Sequence, residues 1–202
     1  MEGKQDNKGT LHPAIKRGAS AYPQSVKVVA IQLYLRQVKE RGIAPREFYG
    51  LSNMERHMLE KREGRYFLKK EHRGRFSVGM TGGVFDIVHI GHIHTLSEAK
   101  EKTDVLVVVV AQDKHIRNKK RKPLHSQEYR RVLVQALKPV DLAILGGENM
   151  EETFERVEPD IIIYGYDQKA FLEPEGVEVI RIKSRVDPEK VKTRKILKKL
   201  GI

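Results

Sequence analysis

The chain contains no cysteine and no tryptophan. Without cysteine there is no disulfide framework, no zinc–thiolate site and no thiol nucleophile, which suits a reducing compartment. Long apolar runs are also missing. The longest, Val105 to Ala111, is far too short to cross a bilayer, and Met1 to Lys16 lacks the apolar core of a signal peptide. A cytoplasmic protein without a membrane span is therefore expected. Acid is scarce relative to base, with 27 Asp+Glu against 39 Lys+Arg and a formal net charge of +12. That excess is uneven. Residues 1–75 carry 17 basic and 8 acidic side chains, and the remaining 22 and 19 (39 − 17 and 27 − 8) fall in residues 76–202. The charge divides the chain into a basic N-terminal extension, residues 1–75, and a nearly balanced larger unit, residues 76–202.

What is present is concentrated in one stretch, Gly79-Met80-Thr81-Gly82-Gly83-Val84-Phe85-Asp86-Ile87-Val88-His89-Ile90-Gly91-His92. It reads as the end of a buried strand, a glycine turn and the start of a helix. Glycines 82 and 83 let backbone N–H groups approach an anion, and a helix beginning near Gly91 adds unpaired N–H groups and the positive end of its dipole. His89 and His92, three residues apart at a helix start, can face the same bound group. The combination is that of a phosphate site.

Taken in order, residues 1–23 are polar and without period, which predicts a mobile arm at least through Gly9. Val28, Ile31, Leu35 and Val38 mark one face of a helix from Gln24 to Arg41, with Gly42 placed to end it. Ser52-Asn53-Met54-Glu55 has capping-box spacing and predicts a helix from Asn53 to Glu63. Arg65 to Glu71 and Arg75 to Met80 read as strands of a hairpin turning at His72-Arg73-Gly74. Two helices and a basic hairpin outline a winged helix, whose charge would suit a phosphate backbone; the competing expectation is a small unit packed on the core.

From Phe76 onward apolar runs alternate with helical patterns. Strands are expected at Phe76 to Met80, Val105 to Ala111, Leu142 to Leu145, Ile161 to Tyr164 and Val177 to Ile182. Helices are expected at about His92 to Lys102, Gln127 to Leu137, Met150 to Val157 and Pro188 to Leu200. β-Branched strands separated by helices give an α/β fold with a doubly wound parallel five-stranded sheet of Rossmann type. Its ligands sit beyond the carboxyl ends of the strands, where strand order reverses. Lys114 to Pro123 follows the second strand and carries six Lys/Arg and no acid.

Thr81-Gly82-Gly83-Val84-Phe85-Asp86 followed by His89-Ile90-Gly91-His92 resembles the signature of the nucleotidyltransferase superfamily with the His-x-Gly-His motif. The nearest branches are the glycerol-3-phosphate and ethanolamine-phosphate cytidylyltransferases and the archaeal FAD synthases. Pro159-Asp160-Ile161-Ile162-Ile163-Tyr164-Gly165-Tyr166-Asp167-Gln168 leans toward the FAD synthases. The resemblance covers about residue 76 to the C-terminus. It implies that His89, His92, Lys119 and Arg121 are catalytic, and that Thr81, Gly82, Gly83, Val84, Phe85, Asp113, Arg130, Gly165, Asp167 and Thr193 bind the nucleotide. It further implies the first strand beside the fourth, and often a homodimer. Thr193 is what remains in Val191-Lys192-Thr193-Arg194 of the family's Ile-Ser-Thr-Ser/Thr stretch.

Such an enzyme transfers a nucleoside monophosphate from CTP or ATP to a phosphorylated acceptor, either FMN or an alcohol phosphate, and releases pyrophosphate. Mg²⁺ or another divalent cation is expected on substrate phosphates, keeping several waters, without a dedicated protein cage. His94, His115 and His125 also fall near the site, but a histidine pair for zinc would need a third ligand that the sequence does not offer. Two other readings use parts of the same pattern. A class I aminoacyl-tRNA synthetase fragment shares the histidine motif but would need a Lys-Met-Ser-Lys-Ser segment, which is absent. A nucleotide-sensing regulator with a nucleic-acid-binding N-terminal module would not need both histidines and the basic run.

Overall fold

The computed structural model describes residues 22–117, 123–166, 168, 170, 172–184, 186 and 196. The expected arm through Gly9, the expected last helix Pro188 to Leu200, and Lys119, Arg121, Asp167 and Thr193 lie outside the described residues.

Five parallel strands form the main sheet: β3 (Val78–Gly83), β4 (Val105–Val110), β5 (Leu142–Leu145), β6 (Ile161–Tyr164) and β7 (Glu178–Arg181), in the order β5-β4-β3-β6-β7. β3 thus pairs with both β4 and β6, and the strand order reverses there. Between the strands run α5 (Ile90–Glu101), α6 (Asp113–Arg117), α7 (Gln127–Gln135) and α8 (Met150–Val157). β4, Val-Leu-Val-Val-Val-Val, is buried along its whole length. Its residues alternate between two cores. Leu106, Val108 and Val110 pack with Leu96 and Ala99 of α5 and Val134 of α7. Val105, Val107 and Val109 pack on the opposite face with Val157 of α8. Each such side chain contributes about 1.5–3 kcal/mol by leaving water.

That second face is completed by the N-terminal extension. α1 (Gln24–Glu40) places Ala30, Leu33, Tyr34 and Val38 in the same cluster as Val105 and Leu142. The Tyr34 hydroxyl donates to Val157 O at 2.5 Å, and its burial raises the phenol's pKa above the ordinary value. Arg156 of α8 donates to Val38 O and Lys39 O, binding the carbonyls that the end of α1 leaves open. Lys27 reaches Asp104 at 2.7 Å. Burial would raise the Asp104 carboxyl, but Lys27 and the Ser77 N–H outweigh it and hold the pKa below its usual value.

After α1 come α2 (Pro45–Tyr49) and α3 (Asn53–His57), then the hairpin β1 (Leu59–Arg62) and β2 (Arg65–Leu68), and α4 (Lys70–Arg73). The sequence reading is corrected here. The Ser52 cap forms, with Ser52 Oγ accepting from Glu55 N, yet the helix ends at His57 because Met58 and Leu59 turn into the core. The hairpin turns at Glu63-Gly64, where both residues have positive φ, and not at His72-Arg73-Gly74, which is one helical turn. Several of the extension's cations are spent inside the fold: Arg36 on Glu47, Arg41 on Glu152, Arg62 on Glu60, Arg73 on Asp160, and Arg65 on the carbonyls of Glu40 and Gly42. A chain starting at Arg75 loses the α1 side chains from one face of the sheet. Its thermal midpoint should fall by at least about 10 °C, or cooperative unfolding should vanish. An unchanged midpoint in calorimetry would show that the extension does not support the sheet.

Candidate active site

The glycine turn lies at the carboxyl end of β3, where the strand order reverses. Gly82 and Gly83 stand opposite Val109 and Val110 of β4, and Ala111 N donates to Gly83 O. Phe85 follows with φ +52°, a left-handed conformation that a bulky residue adopts only when its surroundings impose it. Its ring is buried and folds back over Gly83, where a Cβ would meet it at 3.0 Å. A side chain at 83 would thus press on the Phe85 ring. Phe85 also lies against His92, with ring centroids 5.1 Å apart.

His89 is the N-cap of α5 and His92 its third residue. The His89 N–H points at His92 Nδ1, 3.4 Å away, and the two rings stack with centroids 3.9 Å apart. With Nδ1 facing a donor, a neutral His92 carries its proton on Nε2. Helix geometry leaves the N–H groups of Ile90 and Gly91 without an intrahelical acceptor, so the two imidazoles sit at the positive end of α5.

Arg130 and Asp86 hold this turn from beneath. Arg130 on α7 is 0% exposed. Its guanidinium donates to Val84 O after β3, to Ala111 O (2.8 Å) and Asp113 Oδ1 (2.6 Å) after β4, and to His125 O (3.2 Å) before α7. The planar fork binds three strand-end segments at once, which an ammonium cannot do. Buried Asp86 accepts from Leu124 N at 2.8 Å and His125 N at 3.3 Å. Ser126 caps α7 by accepting from Tyr129 N. The sequence reading placed Arg130 and Asp113 on the nucleotide. In the structure Arg130 has no exposed surface, its donors are engaged by the loops it joins, and Asp113 is its anion partner.

At the reversal point Gln168 spans the gap between β3 and β6. It donates to Gly82 O and accepts from Gly165 N, each at 2.7 Å. Thr81, Gly82, Gly83, Val84, Phe85 and Gly165 therefore meet His89 and His92 at one edge of the sheet. Beside Gly82 opens a cavity of about 620 Å³, lined among others by Met80, Val109, Gln112, Met150, Ile162 and Gln168. None of these six was expected as a site residue. Val109 and Gln112 lie near or just after the end of β4, while Met80 and Ile162 lie inside strands and Met150 opens α8, so no local pattern marked them.

With this geometry in view, the comparison with known proteins is direct. Residues 80–199 match the family described as cytidylyltransferase-like. The chain belongs to that family. It is a nucleotidyltransferase, and it is similar to archaeal FAD synthases. The FAD synthase of Aciduliprofundum boonei is 46% identical over 132 residues, which is 60% of this chain and 88% of that protein. That of Thermococcus onnurineus is 39% identical over 145 residues, 66% of this chain and 96% of the other. Among solved structures, one described as the lipopolysaccharide core biosynthesis protein from Thermoplasma volcanium is 42% identical with a TM-score of 0.50, covering 55% of this chain and 99% of that one. No helix among the described residues is long and apolar enough to cross a membrane.

For a nucleotidyltransferase built this way, Arg130→Lys should cost about 2–4 kcal/mol of stability, because carbonyls on three segments lose their common donor. Denaturant unfolding of both proteins measures it. A midpoint equal to the parent's would mean that the loops are held by something else.

Proposed function

We propose that this protein joins AMP from ATP to FMN, giving FAD and pyrophosphate. The observation that carries this reading is its likeness to archaeal FAD synthases over 88% and 96% of two relatives' lengths. The described parts of the site support it: a glycine turn, two imidazoles at a helix N-terminus, and a cavity that opens from that turn with room for a second substrate.

In the reaction, a phosphate oxygen of FMN attacks the α-phosphorus of ATP. A new P–O bond forms there, and the bond from that phosphorus to the oxygen bridging to the β-phosphorus breaks. That oxygen keeps the electron pair and leaves with pyrophosphate. The chain contributes position and charge rather than a covalent intermediate, since it has no cysteine and no activated nucleophile at the site. The N–H groups of Ile90 and Gly91 and the imidazoles of His89 and His92 face α-phosphate oxygens that gain charge as the bond changes. Lys119 and Arg121, from the basic run, neutralise the β- and γ-phosphates. A divalent cation, when bound, withdraws charge from the triphosphate. Such a cation would be held mainly by the substrate phosphates.

The test of substrate choice is a matrix of ATP and CTP against FMN, glycerol 3-phosphate and phosphoethanolamine, read by pyrophosphate release. ATP with FMN should dominate, with FAD as product. Turnover confined to CTP and an alcohol phosphate would replace this reading with that of a cytidylyltransferase.

His92→Ala tests the chemistry. The maximal rate should fall by about 10²–10³ while the KM for ATP stays within about threefold, because the donor acts mainly on charge developed in the transition state. Retention of near-normal turnover would remove His92 from the mechanism.

A further inference from the structure

We propose that the cavity beside Gly82 receives the ring system of the acceptor, and that it selects a flat, largely apolar heterocycle with an imide-type edge. This rests on the FMN reading above and gives that substrate a place in the fold.

The first argument is position. α5, with His89 and His92, packs on the face of the sheet that holds Leu106, Val108 and Val110. The cavity is lined by Met80, Val109 and Ile162 of the opposite face, which carries α1 and α8, by Ile163 of the α5 face, and by residues 81–84 of the turn itself. A ring held there would bring its own phosphate to that turn, beside a nucleotide whose phosphates lie at the start of α5, as an in-line displacement between the two requires.

The second argument is charge. Among the described residues none that lines the cavity is charged. Glu152, in the first turn of the bordering α8, is paired with Arg41. The described lining thus offers a triphosphate no cation to offset its charge. A phosphoethanolamine ammonium finds no carboxylate in the lining to offset its desolvation. A neutral ring meets neither cost, and 620 Å³ lies within the roughly 300–1,000 Å³ of small-molecule pockets.

The third argument is the pattern of amide groups. Gln112 Nε2 is committed to the carbonyls of Gly146 and Gly147, and Asn149 Oδ1 accepts from Glu152 N. Among the described residues this leaves Gln112 Oε1 as an acceptor and Asn149 Nδ2 as a donor. An imide edge, an N–H flanked by carbonyls, needs one of each. Gln168 has both ends of its amide engaged and serves as a wall.

Gly146 supplies the test. A Cβ there would lie 3.4 Å from Val109 Cγ1 and 3.9 Å from Thr153 Oγ1, ordinary contact distances, and the glycine has no positive φ. Gly146→Val therefore extends a side chain into the cavity without forcing the backbone. FMN is titrated into the full-length protein and the variant by flavin fluorescence, with a non-hydrolysable ATP analogue present, and the KM for ATP is measured beside it. The variant should bind FMN about 10-fold or more weakly, with the ATP constant and the thermal midpoint near the parent's. Gln112→Glu, which puts a charge in place of the amide, should weaken FMN in the same direction. Unchanged FMN binding in Gly146→Val, or a raised ATP constant with FMN unaffected, would overturn the placement. A parent protein that neither binds FMN nor forms FAD would instead overturn the functional reading on which the placement rests.

Discussion

The site depends on one constraint, the pairing of β3 on both sides. Because β3 is hydrogen-bonded to β4 along one edge and to β6 along the other, the connections on its two sides leave in opposite directions. The chain that continues from β3 must therefore cross an open crevice before entering α5. Gly82, Gly83 and the left-handed Phe85 make that crossing, and the histidine motif is where the helix resumes. The phosphate site is a consequence of strand order as much as of the residues that line it.

A crevice of this kind needs its walls fixed, and the structure fixes them with buried polar groups. Arg130 binds the segments after β3 and β4 to the approach of α7, while Asp86 takes the N–H groups of Leu124 and His125. Gln168 does the equivalent at the β3–β6 gap. Each group is satisfied at nearly every polar atom, which is the condition under which burial of charge orders a site instead of destabilising it. The N-terminal extension works at the other end of the same sheet. α1 covers a face that the helices between the strands leave partly open, and Arg73, Arg156 and Lys27 tie it there.

Much of this was legible in the residues. The apolar run of β4 reads as a strand buried on both faces, because only a covered parallel strand needs six consecutive large aliphatic residues. The cap read at Ser52 forms, since a cap is a local hydrogen bond between near neighbours. The hairpin was misread for the opposite reason. Leu59 and Leu68 pair across nine residues and enter a core supplied by α1, so whether Leu59-Glu60-Lys61-Arg62 extends a helix or starts a strand is decided by contacts distant in sequence.

The sequence by itself determined the parallel α/β fold, the glycine turn and the two histidines at the start of α5, because periodicity, turn chemistry and capping act over a few residues. Only the tertiary structure decided that Arg130 is buried among the segments after β3 and β4, that several cations of the extension pair with groups of the fold, and that a cavity with no charged group in its described lining opens beside Gly82. Those facts concern groups from separate segments, and a side chain's burial and partners are set by what the whole fold brings against it.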